Sequence, residues 1–269
     1  MDLIAGPWVG EFGWELMSWQ AHVRDKARRG KYEHITVLGP PGHAPLYSDF
    51  ADVYVPVTLN GTKDCWRTED VNRRDRLQVN GLVDRLINGN THSLVPEGLV
   101  PIEAQYFLAF GDGRKVPPDK RFDVLVHVRQ PINKRKSHAW HPVHAEMVIE
   151  KLVERGLTVA AIGTQAECPM GAIDRRNLPL DKLVDLMAAT GVVIGPSSGP
   201  MHLASLCCTP HVVWTDKQWY SAIRGTNKKR YESFWNPFRT PCIVLEEGWQ
   251  PNPDLIALKT EEALRRWRP

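Results

Sequence analysis

Short β-rich runs alternate with helix-period segments along most of the chain, and this alternation restricts the fold more than any other feature. Strand, helix and strand in series read as an α/β protein built on parallel sheets. The first round opens with a strand from Leu3 to Gly6 and a glycine-rich turn. A helix from Trp14 to Arg29 follows, with Leu16, Trp19, Ala21 and Val23 on one face and Gly30 at its end. Further strands are expected at His34 to Leu38 and Val53 to Val57. The polar, basic stretch from Asn60 to Asn90, with Arg73-Arg74-Asp75-Arg76, reads as a helix between loops.

Between Gly111 and Arg121 the chain concentrates glycine, proline and charge, the chemistry of a linker. The rhythm then restarts. Strands are expected over 122–128, 157–163, 192–195, 211–214 and 243–245, and helices over 141–155, 180–189, 200–207 and 254–267. With 269 residues there is room for two domains of ordinary size. The expected organisation is an N-terminal Rossmann-like domain over 1–118, a second over 119–253, and a terminal helix over 254–269. Leu255, Leu258, Ala263, Leu264 and Trp267 give that helix an apolar face.

Composition narrows the partners. No run approaches the roughly 20 apolar residues of a membrane span, and the first residues lack the basic n-region of a signal peptide. The five cysteines show no metal spacing and fit a reduced, cytoplasmic setting. A formal charge of +3 does not by itself argue for nucleic acid. Several tryptophans (Trp8, Trp14, Trp19, Trp66, Trp140, Trp219, Trp235) stand beside polar residues, which suits stacking on a sugar or base as well as core packing.

The sharpest local signal is Gly195-Pro196-Ser197-Ser198-Gly199-Pro200-Met201-His202. It lies between the buried-strand pattern Val192-Val193-Ile194 and a helix beginning near Pro200. A strand end, a tight turn and a helix start make an anion site: glycine admits close approach, free N–H groups point outward, and the helix dipole favours negative charge. Ser197 and Ser198 add hydroxyl donors, Pro200 suits the first helical turn, and His202 can donate to a phosphate. A capped helix after a strand accounts for the same residues without any ligand.

The run Ser197-Ser198-Gly199-Pro200-Met201-His202-Leu203-Ala204 closely resembles the Asp-Ser/Thr-Gly-Pro-Met-His-Leu-Ala signature of the ADP-heptose:lipopolysaccharide heptosyltransferases, glycosyltransferase family 9. The resemblance implies a GT-B fold: two Rossmann-like domains facing across a cleft, with the donor diphosphate on this segment. It also implies a terminal helix that crosses back onto the N-terminal domain. Ser197 replaces the family's usual acidic residue. Residues 122–130, with Lys134-Arg135-Lys136 and Trp140-His141-Pro142, resemble the family's strand, basic loop and Trp-Pro helix start. This makes Arg129, Lys134 and Lys136 the candidates for neutralising the diphosphate. Val159-Ala160-Ala161-Ile162-Gly163 resembles the strand before the nucleotide pocket, placing Gln165 and Glu167 near the base or ribose.

In that family the turn after strand one carries Gly-Asp, whose carboxylate is taken as the general base. Here Glu11 follows Gly10 in Trp8-Val9-Gly10-Glu11-Phe12-Gly13-Trp14-Glu15. Inverting sugar transfer needs such a group to deprotonate the acceptor as it attacks. Glu15 is the rival, and Gly10 and Trp14 are candidates for the acceptor side. The long aromatic and basic segment from Thr215 to Pro241 reads as a loop that could gate the site, with Arg230 and Tyr231 as its candidate ligand contacts.

These features lead to the expectation of a metal-independent glycosyltransferase with a nucleotide-diphosphate-sugar donor and no cofactor. The acceptor would be a saccharide or small molecule, or alternatively a modified base in DNA. A nucleotide-sugar-binding protein and a sugar-nucleotide epimerase are the other readings.

Overall fold

The computed structural model describes residues 1–58, 81–96, 100–129, 138–165, 167–217 and 225–267. It divides into two compact units, Met1–Leu108 and Ala109–Pro269. The first holds a parallel sheet of β1 (Asp2–Ala5), β2 (Ile35–Gly39), β3 (Val53–Pro56) and β4 (Thr91–Leu94), in the spatial order β3-β2-β1-β4. After β1 the chain enters a short helix, Phe12–Trp14, passes through a π-helical segment, Glu15–Trp19, and continues as α1 (Gln20–Arg29). The π-helical residues are all buried. Ile4, Leu38 and Val57 form a core beneath the sheet. Gly6 needs its glycine: φ is +108°, and a Cβ there would lie 2.3 Å from the Leu38 carbonyl oxygen.

The second unit carries six parallel strands: β5 (Val124–His127), β6 (Val159–Ile162), β7 (Ile173–Asp174), β8 (Val192–Pro196), β9 (His211–Trp214) and β10 (Cys242–Leu245). Their order is β10-β9-β8-β5-β6-β7. The chain builds outward from β5 in one direction, then returns to lay β8 on its other side. That reversal is a topological switch point, where ligands of open α/β sheets bind beyond the strand carboxyl ends. Helices α2 (Pro142–Glu154), α3 (Leu180–Ala188), α4 (Gly199–Leu206), α5 (Asn227–Glu232) and α6 (Pro253–Trp267) complete the unit. Helix α2 starts sharply because Pro142 stands at its first turn and the His141 Nδ1 accepts the Val143 N–H at 3.3 Å.

One expectation needs correction. The segment after Leu108 is a packed part of the second unit rather than a free linker. The Asp112 N–H donates to Asp185 Oδ1 at 2.8 Å, and the Phe110 N–H to the Leu206 carbonyl at 2.9 Å. Gly111 (φ +79°) is glycine because a Cβ would sit 2.2 Å from the Val184 carbonyl oxygen. Helix α6 buries apolar residues in this unit's own core. Ile256, Ala257, Ala263 and Leu264 share one core with Val148, Ile149 and Leu152 of α2 and with Val192, Ile194, Val212 and Trp214 of the sheet. Amphipathicity requires that face to be buried; it does not choose the partner.

The tryptophans read as possible stacking surfaces are largely core: Trp8, Trp19, Trp140 and Trp235 are all buried. Trp66 and Trp219 lie outside the described residues. Among those described, no helix is long and apolar enough to cross a membrane.

Candidate active site

The switch point of the second unit gathers most of the expected donor residues. Strand β8 ends in Pro196, and Ser197 follows with its N–H on the Trp214 carbonyl at 2.9 Å. Ser198 is the extended residue before α4; its hydroxyl donates back to the Pro196 carbonyl at 2.9 Å instead of capping the helix. The N–H groups of Met201 and His202 turn inward to the Ser198 carbonyl, at 3.1 and 3.2 Å. Gly199 and Pro200 open the helix, and Pro200 has no N–H to lose. Gly195 packs closely beneath them: a Cβ there would lie 3.0 Å from both the His127 carbonyl oxygen and the Met201 Sδ.

Arg129, two residues beyond β5, donates from Nη1 to the Ser197 carbonyl at 2.5 Å and lies over the Trp249 ring, 5.7 Å from its centroid. A positive group is thereby fixed against the turn. Lys134 and Lys136, the other two candidates, lie outside the described residues.

Tyr231 and Arg230 are the candidate gate residues. Both are buried on α5, and the Tyr231 hydroxyl donates to Ser197 Oγ at 3.2 Å from behind the turn. Burial pushes this phenol well above its ordinary range. Arg230 stacks over Trp235 at 4.8 Å, and the Asn227 amide beside it donates to Thr215 Oγ1 at 2.5 Å. Helix α5, within the stretch read as a loop, props the Ser197 turn through Tyr231.

His202 lies between Tyr231 (5.2 Å, stacked) and Trp235 (4.6 Å), with its Nδ1 buried and unpartnered. Burial first, then His211, Arg129 and Arg230, hold its pKa down to about 3. The ring is therefore a neutral imidazole at neutral pH, not a cation.

On the other side of the switch point, Gly163 (φ +114°) packs where a Cβ would lie 2.5 Å from Gln165 Oε1 and 2.9 Å from His127 Nδ1. Gln165 is 4% exposed, and neither of its amide atoms has a partner; the buried His127 Nδ1 is likewise unpartnered. Burial, reinforced by Arg129, pushes His127 down to about 4. Each unmet buried polar atom costs about 1–3 kcal/mol, a deficit that a polar ligand at this place would relieve. Glu167 is exposed. Sequence reasoning missed His127, although it ends a recognisable strand whose carboxyl end faces any switch-point ligand.

In the first unit, the turn after β1 carries Gly10, Glu11 and Trp14, all partly exposed. Glu11 is the extended residue before the first helical turn, and its carbonyl accepts the N–H groups of Trp14 and Glu15, both at 3.1 Å. Glu15 is different in kind. It is fully buried, accepting the Tyr47 hydroxyl at 2.7 Å on Oε1 and facing His43 Nδ1 at 2.6 Å through Oε2. Both its oxygens are engaged, so it has no route to an acceptor of its own. Neither His43 nor Tyr47 was singled out from the sequence; they lie 28 and 32 residues away from Glu15.

No family model and no curated protein matches the chain. Solved structures do. The E. coli ADP-heptose lipopolysaccharide heptosyltransferase II superimposes with a TM-score of 0.62 at 15% identity, covering 98% of each chain. A family 9 glycosyltransferase of Veillonella parvula gives 0.64 at 10% identity, over 98% of this chain and 97% of that one. The E. coli heptosyltransferase WaaC with ADP gives 0.60 at 14%, over 98% and 100%. The chain has the GT-B fold of the family 9 heptosyltransferases.

Proposed function

We propose that this chain is a glycosyltransferase that moves a sugar from a nucleoside-diphosphate donor to an acceptor hydroxyl, with inversion. The observation carrying this reading is the turn from Ser197 to His202 at the switch point, braced by Arg129 and Tyr231 and flanked by the unpartnered polar atoms of His127, Gln165 and His202. A diphosphate supplies the acceptor oxygens that a helix start and a guanidinium attract. The nucleoside beyond it brings donors and acceptors for the amide of Gln165. Glu11 is the group proposed to take the acceptor's proton. The acceptor is proposed to be a saccharide or small molecule, in a soluble, cytoplasmic setting.

Titrating the protein with a panel of nucleoside diphosphates tests the first step. One of them is expected to bind, with Gly199→Asp weakening it by at least tenfold, because a carboxylate is then placed at the anion site. His202→Ala is expected to cost a more modest ~0.5–1.5 kcal/mol of donor affinity, the value of a neutral hydrogen bond. A bound structure with the phosphates on the first unit would overturn the assignment.

The leaving group's charge is proposed to be met by Arg129, Lys134, Lys136 and backbone donors, without a divalent ion. Transfer is expected to persist in excess chelator. Activity abolished by chelation and restored by magnesium or manganese would refute this. Assays with saccharides and with hydroxymethylated DNA separate the two acceptor classes.

A further inference from the structure

The first unit contains a carboxylate–imidazole pair that the Glu11 reading leaves unused. Glu15 is inaccessible to solvent, while His43 keeps 23% of its side chain exposed. His43 sits on the turn after β2, at the same carboxyl end of the sheet as Gly10 and Glu11. Its N–H donates to the Pro40 carbonyl at 3.2 Å, and its carbonyl accepts the Leu46 N–H at 3.0 Å. The segment is pinned further by Arg24, which is 1% exposed, pairs with both Asp49 oxygens at 2.8 and 2.9 Å and donates to the Leu46 carbonyl at 2.7 Å. The ring lies edge-on to Phe12, 5.2 Å between centroids, and Phe12 is the residue after Glu11.

With one oxygen of Glu15 occupied by the Tyr47 hydroxyl, the other receives the His43 Nδ1–H. This fixes the tautomer and leaves the lone pair on Nε2, at the ring's other edge. An imidazole oriented by a buried carboxylate is a general base by construction, and an imidazolium formed on it is stabilised by the charge behind it. A carboxylate alone is a weak base for a sugar hydroxyl; catalytic power grows as the base's pKa approaches the working pH.

We propose that His43 is a second catalytic group for the acceptor, acting with Glu11 and oriented by Glu15; the proposal rests on the glycosyl-transfer reading. The acceptor O–H proton passes by way of the Glu11 carboxylate to His43 Nε2 as the oxygen attacks the anomeric carbon. The carbon–oxygen bond to the diphosphate breaks, and its electron pair leaves with the nucleoside diphosphate. Glu15 balances the imidazolium until the proton departs to water. Among the described residues, Glu15 touches the ring directly, Tyr47 and Tyr54 of β3 lie about Glu15, the Arg24–Asp49 pair holds the following turn, and Glu11 precedes Phe12, the ring's edge-on neighbour. Burial and the Glu15 charge hold both tyrosines protonated far above neutral pH, so they donate and do not compete for the proton.

The test uses the full chain. Histidine-selective ¹⁵N NMR of the unliganded protein is expected to show His43 protonated on Nδ1 at neutral pH, a readout that needs no activity. His43→Ala is expected to lower kcat about 10²-fold with donor affinity unchanged, and added imidazole is expected to restore part of the rate. His43→Gln, which keeps a hydrogen bond to Glu15, is expected to stay folded yet lose the imidazole limb of the pH–rate profile. Tyr47→Phe is expected to retain that limb. An Nε2–H tautomer, or transfer by His43→Gln at more than half the normal rate with its pH profile unchanged, overturns the His43 role alone. Absence of transfer by the unmodified protein from every donor tried sinks the parent reading and this proposal with it.

Discussion

Glu11→Gln is expected to lower turnover by about 10²- to 10⁴-fold while leaving donor affinity nearly unaltered. The amide keeps the shape and one hydrogen-bond acceptor of the carboxylate but cannot take a proton. Glu11 has the right exposure for the role: it is partly open at the turn after β1, and its backbone rather than its side chain holds the helix start. Glu15→Gln should behave differently. It leaves a buried amide facing Tyr47 and His43, so its expected defect combines lost stability with a slower proton transfer. Calorimetric donor titrations beside steady-state rates separate the cases. Purified Glu11→Gln retaining more than about a tenth of normal turnover would move the base role away from this residue.

Lowering the pH from 7 to 5 is expected to destabilise the second unit by roughly 5 kcal/mol through three buried histidines. His127, His202 and His211 are held to about 4, 3 and 4, in each case chiefly by burial. An unfolded histidine takes a proton near pH 6.5. Below that pH the unfolded chain binds protons that the folded unit refuses. The histidine contribution is therefore intact above about 6.5 and shrinks as the pH falls towards the folded values, by roughly 2 kcal/mol per residue at pH 5. That sum is comparable with the whole stability of an ordinary domain. Urea titrations of the full chain at pH 7, 6 and 5 read it directly. A midpoint independent of pH over this range would show that the three rings take up protons as readily in the folded state as in the unfolded chain.

His127 and His202 flank the proposed donor site, so their desolvation also bears on binding. A donor that partners His127 Nδ1 and His202 Nδ1 finds both rings neutral across the working range, and its affinity should not follow their titration.

Much of the second unit was legible in the sequence because its signals are local. Val192-Val193-Ile194 is an unbroken apolar run within a strand, and Ser197 to Pro200 supplies a turn and a helix start in four residues. Strand β4 was not legible. Thr91-His92-Ser93-Leu94 carries little apolar character, and it is a strand because β1 offers it an open edge. The role of Glu15 was equally hidden. A carboxylate one turn into a helix looks like an exposed residue near the dipole, and only the return of the chain after β2 brings His43 and Tyr47 to cover it. The apolar stripe of α6 was legible, but a stripe states only that something covers it and does not name the cover. Gly111 and Gly113 look like linker chemistry in composition, whereas close approach to Val184 and Ala188 is what demands them.

The way α6 is used also governs how the chain can be made. Strands β5 to β10 all emerge from the ribosome before Pro253–Trp267 does, and until then the face of α2 and the sheet that meets Ile256, Ala257, Ala263 and Leu264 stays uncovered. The first unit has no such dependence on later residues for its own sheet. The nascent chain thus completes its amino-terminal unit early and carries a half-closed partner through the rest of synthesis. That interval exposes apolar surface and invites chaperone capture or aggregation. A chain stalled or clipped ahead of residue 253 is then expected to be cleared as an unfinished protein instead of surviving as a shorter one.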